Sequence, residues 1–140
     1  MKTQIIKAVI LTAAIIMAFG FSVSKNNFGS NEWKTPPEAD KLVNPLKGKG
    51  AATEEGKKLF TQLCAMCHGE KGKGDGAAGL LLNPRPANYT LPKTQLQSDG
   101  VLFWKMSEGR PPMAGYKTIL TETQRWQLVN YLRTFNRNKK

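Results

Sequence analysis

Cys64, Cys67 and His68 stand together in the pentapeptide CAMCH, and the chain holds no other cysteine or histidine. Two thiols three residues apart, with an imidazole directly after the second, can serve a zinc half-site, a dithiol redox pair or haem attachment. A structural zinc site takes four ligands in separated pairs, and no second pair exists here. A thioredoxin-like dithiol follows a strand and opens a helix, and no strand pattern flanks this motif. A Cys64–Cys67 disulfide stays open as a transient state before any cofactor is attached. C-x-x-C-H is the spacing of c-type haem attachment. Haem is the expectation.

That spacing has a physical reason. At the end of a helix, Cys64 and Cys67 lie at i and i+3 and share one face. Their sulfurs can then meet the two vinyl groups along one porphyrin edge. His68 is i+4 from Cys64, so its imidazole projects to the same side and can ligate the iron. One covalently bound haem c is therefore expected, with Cys64 and Cys67 as its attachment points.

An iron held by one histidine has a sixth position to fill, and His68 is the only histidine. Methionine is the next candidate. Met1 and Met17 lie in the first 24 residues, which read as a signal, and Met66 lies between the two cysteines. Met106 sits beside Phe103 and Trp104, where a core role is expected. Met113 stands in GRPPMAGY, where two prolines stiffen the chain, Ala114 and Gly115 leave room, and Tyr116 can bring a ring near the porphyrin edge. Met113 is the expected second axial ligand.

The elements that must position these residues are all helical. Thr53 is the expected N-cap of a first helix, with Glu54 and Glu55 at its positive end. Leu59, Phe60 and Leu63 give an apolar stripe leading into Cys64. The stretch from Gly69 to Thr90 is too rich in glycine and proline for regular structure and reads as a loop wrapping the haem. Ser98 caps a second helix that closes at Gly109. Thr121 and Gln124 form a capping box for the last helix, whose Leu128, Tyr131, Leu132 and Phe135 follow at i, i+3, i+4 and i+7.

Residues 1–24 read as a signal peptide or a short N-terminal membrane anchor. Lys2 and Lys7 precede an apolar run of 14 residues, Ala8 to Phe21, short of the roughly 20 that span a bilayer comfortably. Small residues at Ala18-Phe19-Gly20 and Ser22-Val23-Ser24 offer cleavage points. Either way the domain is expected in the periplasm, soluble or anchored to the outer face of the cytoplasmic membrane. Residues 25–50 are polar and rich in Pro, Gly, Asn and Lys, and read as an extended linker or docking segment with one helical turn near EADKL. Trp33 within it is expected either to pack back or to meet a partner. The remaining 51–140 form one small domain, which has little apolar surface to bury and needs a staple such as a covalently held porphyrin.

The formal charge is +11, and +9 once Lys2 and Lys7 are gone. Such an excess outside the membrane suits redox partner proteins with acidic docking surfaces, and makes nucleic acid an unsuitable partner. Lys71 and Lys73, with Lys105, Arg110 and Lys117, are candidates for a basic ring around the haem edge.

Taken together, GKKLF, CAMCHG, GKGDG, SDGVLFWKMSEGRPPMAGY and LTETQRWQLVNYLRTF resemble the single-haem class I c-type cytochromes of bacterial respiratory chains, from Ala51 to about Arg137. The resemblance implies a small all-α fold, three to four helices wrapped around one haem with long loops. It implies a close crossing of first and last helices, with Gly56 and Phe60 facing Leu128 and Tyr131. It also implies a proline carbonyl that accepts from Nδ1 of the axial histidine, for which Pro84 and Pro86 compete. The expected function is single-electron transfer without catalysis, by a monomer or as a permanent subunit of an oxidase or reductase complex. A haem enzyme or gas binder with a displaceable Met113 is the rival class. The sequence offers it no distal histidine and no evident acid–base pair.

Overall fold

The computed structural model describes residues 32–136, so the expected export segment, residues 25–31 and residues 137–140 lie outside the described residues. Among the described residues six helices follow in order: α1 (Pro37–Lys41), α2 (Gly50–Leu63), α3 (Ala65–His68), α4 (Pro92–Gln95), α5 (Asp99–Glu108) and α6 (Glu122–Thr134), with a 3-10 turn at Gly79–Leu81. No strand occurs among the described residues. Three helices, α2, α5 and α6, have two turns or more, and the others are single turns set in long loops.

Helix α2 begins earlier than its sequence suggests. Gly50-Ala51-Ala52 continue the helix N-terminally, since alanine is the best helix former and nothing there breaks the pattern. Thr53 therefore does not cap; its hydroxyl donates back to the Lys49 carbonyl at 3.2 Å. The other two caps form as expected. The Ser98 hydroxyl accepts from the Val101 N–H at 3.1 Å, and Gly109, at φ 70°, closes α5. Thr121 and Gln124 exchange both bonds of a capping box, at 2.9 and 3.2 Å.

Helices α2 and α6 cross at close range. A Cβ on Gly56 would run into the Gln127 carbonyl, so only glycine lets the two backbones meet there. Phe60 and Leu128 are each 1% exposed, and Phe60 packs 5.3 Å from both Tyr131 and Phe135. The core continues through Leu102, Met106, Trp126, Val129 and Leu132. On the far side of α6, Phe103 stacks on Trp126 at 3.9 Å and the Arg125 guanidinium lies 4.6 Å from the Phe103 ring centre while donating to the Ser107 hydroxyl.

The segment expected to be extended is packed from Lys34 onward, where one compact unit begins. The helical turn near EADKL is present as α1, and its Ala39 is 1% exposed. Asn44 donates to Asp99 at 3.0 Å and to Asn130 at 2.9 Å, and Asn130 donates to the Leu46 carbonyl at 2.6 Å. Asp99 in turn pairs with Arg133 at 2.7 Å, and Arg133 also donates to the Gln95 and Gln97 carbonyls at 2.8 and 2.6 Å. A buried polar network of this kind is stabilising only when each member is satisfied, and these members are. Composition alone hid it, because its residue types are those of a loop. Trp33 is half-buried.

Candidate haem site

Helix α2 runs into the attachment motif with a kink at Cys64, and the motif forms its own turn, α3. Cys67 and His68 donate their N–H groups to the Cys64 carbonyl at 3.1 and 2.9 Å, so Cys64, Cys67 and His68 share one turn as expected. The cysteines are half-buried and carry no disulfide. Burial, then the neighbouring Cys67, pushes the Cys64 thiol up to about 12. The glycine-rich loop folds back onto this turn. Gly76 donates to the Cys67 carbonyl at 3.2 Å, Ala78 to Met66 at 3.1 Å and Gly74 to His68 at 2.8 Å, which satisfies the carbonyls that a helix end leaves open.

His68 is 6% exposed. Its Nδ1 lies 3.1 Å from the Ala87 carbonyl. A carbonyl only accepts, so Nδ1 carries the proton and Nε2 keeps its lone pair for a metal. This corrects the expectation that Pro84 or Pro86 supplies the acceptor. The Pro86 carbonyl instead lies against Gly74, and the next residue presents its oxygen to the imidazole. Burial holds the imidazole below its ordinary pKa, partly offset by the Ala87 bond, so it stays neutral at pH 7. The Tyr89 ring stacks on it at 4.8 Å.

Met113 closes a tight turn: Met113 donates to the Arg110 carbonyl at 2.8 Å and Arg110 to the Met113 carbonyl at 3.0 Å, with Pro111 and Pro112 exposed at the tip. The chain then lies back along the end of α5, where Tyr116 donates to the Met106 carbonyl and Lys117 to the Ser107 carbonyl, both at 3.0 Å. Its Tyr116 hydroxyl donates to the Leu63 carbonyl at 3.2 Å, the residue before Cys64. Burial raises the Tyr116 pKa, and any negative charge on Cys64 or Cys67 adds to it. The loop of Met113 and the turn of His68 are thereby tied to one end of α2. Met113 is half-buried, Met106 is 6% exposed in the core, and Met66 is 69% exposed.

The candidate cations differ in their surroundings. Lys71 and Lys73 are exposed on the loop. Lys117 pairs with Glu108 at 3.2 Å, and Lys105 donates to Gln97 at 2.7 Å. Sequence reasoning passed over Ala87 and Tyr89. The available signal was an aromatic residue inside a polar Gly/Pro loop, where only packing would retain it.

Thiols one turn apart suit attachment to the two vinyl groups of a porphyrin, and a buried neutral imidazole with a free nitrogen suits its iron. The fold and this site define an all-helical haem protein. The family model for cytochrome c matches residues 53–136, and the chain belongs to that family. It is a c-type cytochrome, a family whose haem c is covalently bound.

The chain is similar to several solved structures. A chain in the Kuenenia stuttgartiensis reducing HAO-like protein complex Kustc0457/Kustc0458 is 35% identical over 59% of this chain, with a TM-score of 0.52. The match spans 42% of that relative's length. The KustC0563 c-type cytochrome is 30% identical over 59% of this chain and 98% of its own, with a TM-score of 0.50. No curated protein matches. Among the described residues, no helix is long and apolar enough to cross a membrane.

Proposed function

We propose that this chain is an exported, non-enzymatic electron carrier in which Cys64 and Cys67 hold the haem by thioether links and His68 and Met113 ligate its iron. The observation that carries the reading is the buried His68, protonated at Nδ1 by its bond to Ala87 and on the same turn as both thiols. When bound, the haem supplies one-electron oxidation and reduction. The Ala87 carbonyl holds the imidazole in the tautomer that leaves Nε2 for the metal. The thioether of Met113 favours the reduced state and raises the potential. Two protein ligands leave no position for peroxide or a gas, which argues against the enzymatic alternative. Residues 1–24 serve as signal or anchor and place the domain in the periplasm.

The assignment of Met113 is tested in the oxidised protein by the weak near-infrared band of sulfur-ligated low-spin iron. Met113→Ala should abolish it and Met106→Ala should keep it; the reverse result would move the ligand to Met106. Partners are read as acidic proteins steered by the basic excess. Oxidation by ferricyanide, a small anion, should slow severalfold as the screening length falls from about 30 Å at 0.01 M salt to about 8 Å at 0.15 M. A rate indifferent to salt would remove the electrostatic argument.

The relative in the Kuenenia complex supports a second reading, that of a permanent haem subunit. Native fractionation decides between them: a haem band running with a large assembly favours the subunit, and one at the mass of a single chain favours the shuttle.

A further inference from the structure

Tyr89 belongs to none of the ligands above, yet its ring lies on the face of the His68 imidazole, centroids 4.8 Å apart and planes inclined by 28°. The residue is held on every side. Its N–H donates to the Gly72 carbonyl at 2.7 Å. Its carbonyl accepts from the Gln95 amide at 2.6 Å, and the same amide nitrogen donates to the Leu132 carbonyl of α6 at 3.0 Å. Just before it in the chain, Ala87 accepts from His68, and Asn88 accepts from Thr90 and Thr94 at 2.7 to 2.8 Å. The ring is 8% exposed, edge-on to Phe60 at 6.3 Å and nearly parallel to Phe135 at 6.3 Å.

These contacts do something that the Ala87 bond cannot. One hydrogen bond at Nδ1 fixes the tautomer and a single point of the imidazole, and leaves it able to rock about that bond. A flat ring packed on its face removes the rocking, because tilting would open a gap or force overlap. Tyr89 cannot yield, since its backbone is anchored to Gly72 and α6 and its ring is backed by Phe60 and Phe135. An aliphatic side chain could fill the volume but would present no plane.

We propose that Tyr89 is a positioning residue for the axial histidine, its clamped ring setting the plane of the His68 imidazole. The proposal rests on reading His68 as an axial ligand. The π orbital of an axial imidazole stands perpendicular to its ring, so the ring plane decides which iron orbital it overlaps. In the oxidised protein that choice decides which pyrrole rings carry most unpaired spin. Supporting groups around a ligand act in this way on a metal's electronic structure.

The test uses the oxidised holoprotein and the order of its four haem-methyl proton resonances. Tyr89→Phe, which keeps the ring, should preserve the order. Tyr89→Leu should change it while the near-infrared sulfur band and the covalent haem persist. An unchanged order in Tyr89→Leu overturns the proposal. The wild-type protein supplies a reading independent of whether that variant accumulates. In the reduced state, a clamped Tyr89 should show separate resonances for the two sides of its ring at room temperature, and fully averaged ones would overturn the clamp. The underlying reading fails differently. A wild-type oxidised spectrum without low-spin histidine ligation would remove His68 as ligand, whatever the Tyr89 variants show.

Discussion

The segment around His68 is secured by side chains from several elements, whereas the loop that carries Met113 is secured mainly by backbone bonds to the end of α5. On the His68 side, the Tyr89 ring, the Gln95 amide and the aromatic group of Phe60 and Phe135 converge from the loop, α4, α2 and the end of α6. On the Met113 side, Arg110, Tyr116 and Lys117 use main-chain groups, and the side-chain ties of Tyr116 to Leu63 and of Lys117 to Glu108 are exposed ones. The difference teaches where each side is vulnerable. A side-chain lattice is broken by truncating its members. A backbone turn tolerates new side chains except where a glycine admits close approach.

The largest expected effect is on the His68 side. Phe60→Ala removes a ring that is 1% exposed and touches Tyr89, Tyr131 and Phe135, and should cost about 3–5 kcal/mol in denaturant unfolding of the holoprotein. A loss below about 1 kcal/mol would mean that the site can collapse around the gap. Next is the Met113 side. A Cβ at Gly115 would meet the Glu108 carbonyl, so Gly115→Ala should cost about 1–3 kcal/mol and weaken the near-infrared sulfur band while haem content holds. An intact band would show that the turn shifts as a rigid piece.

Smaller effects sharpen the contrast. Gln95→Ala leaves the Tyr89 and Leu132 carbonyls without this donor and should cost about 1–2 kcal/mol, with the sulfur band unchanged. Loss of the band in this variant would mean that the two sides are not independent. Tyr116→Phe removes one 3.2 Å bond in an exposed setting and should cost no more than about 1 kcal/mol. Its readout is easier displacement of Met113, seen as tighter binding of added imidazole. Unchanged imidazole affinity would place the hold on Met113 in the backbone turn alone.

Much of the site was legible before any fold was known, because its chemistry is local. Thiols and an imidazole at i, i+3 and i+4 share a turn wherever they form one, and the structure places Cys64, Cys67 and His68 so. Caps are equally local, and Ser98 and Thr121 meet their partners within three residues. Gly56 and Phe60 were readable through the resemblance, and both face α6. Thr53 shows the limit of such reading. Its type suits a cap, but the alanines before it are better helix formers than it is a stop.

What the sequence determined by itself was therefore short-range: the attachment turn, the helix signals, the stiff turn before Met113 and the basic excess. Tertiary structure alone decided which carbonyl holds His68, since Pro84, Pro86 and Ala87 differ only in where a folded loop directs each oxygen. It decided that Tyr89 lies on the imidazole, across 21 positions of chain. It also decided that Asn44 joins Asp99 and Asn130, partners 55 and 86 residues away. Polar side chains carry no mark of their distant partners, because a hydrogen bond depends on position and angle, and both come only from the packed chain.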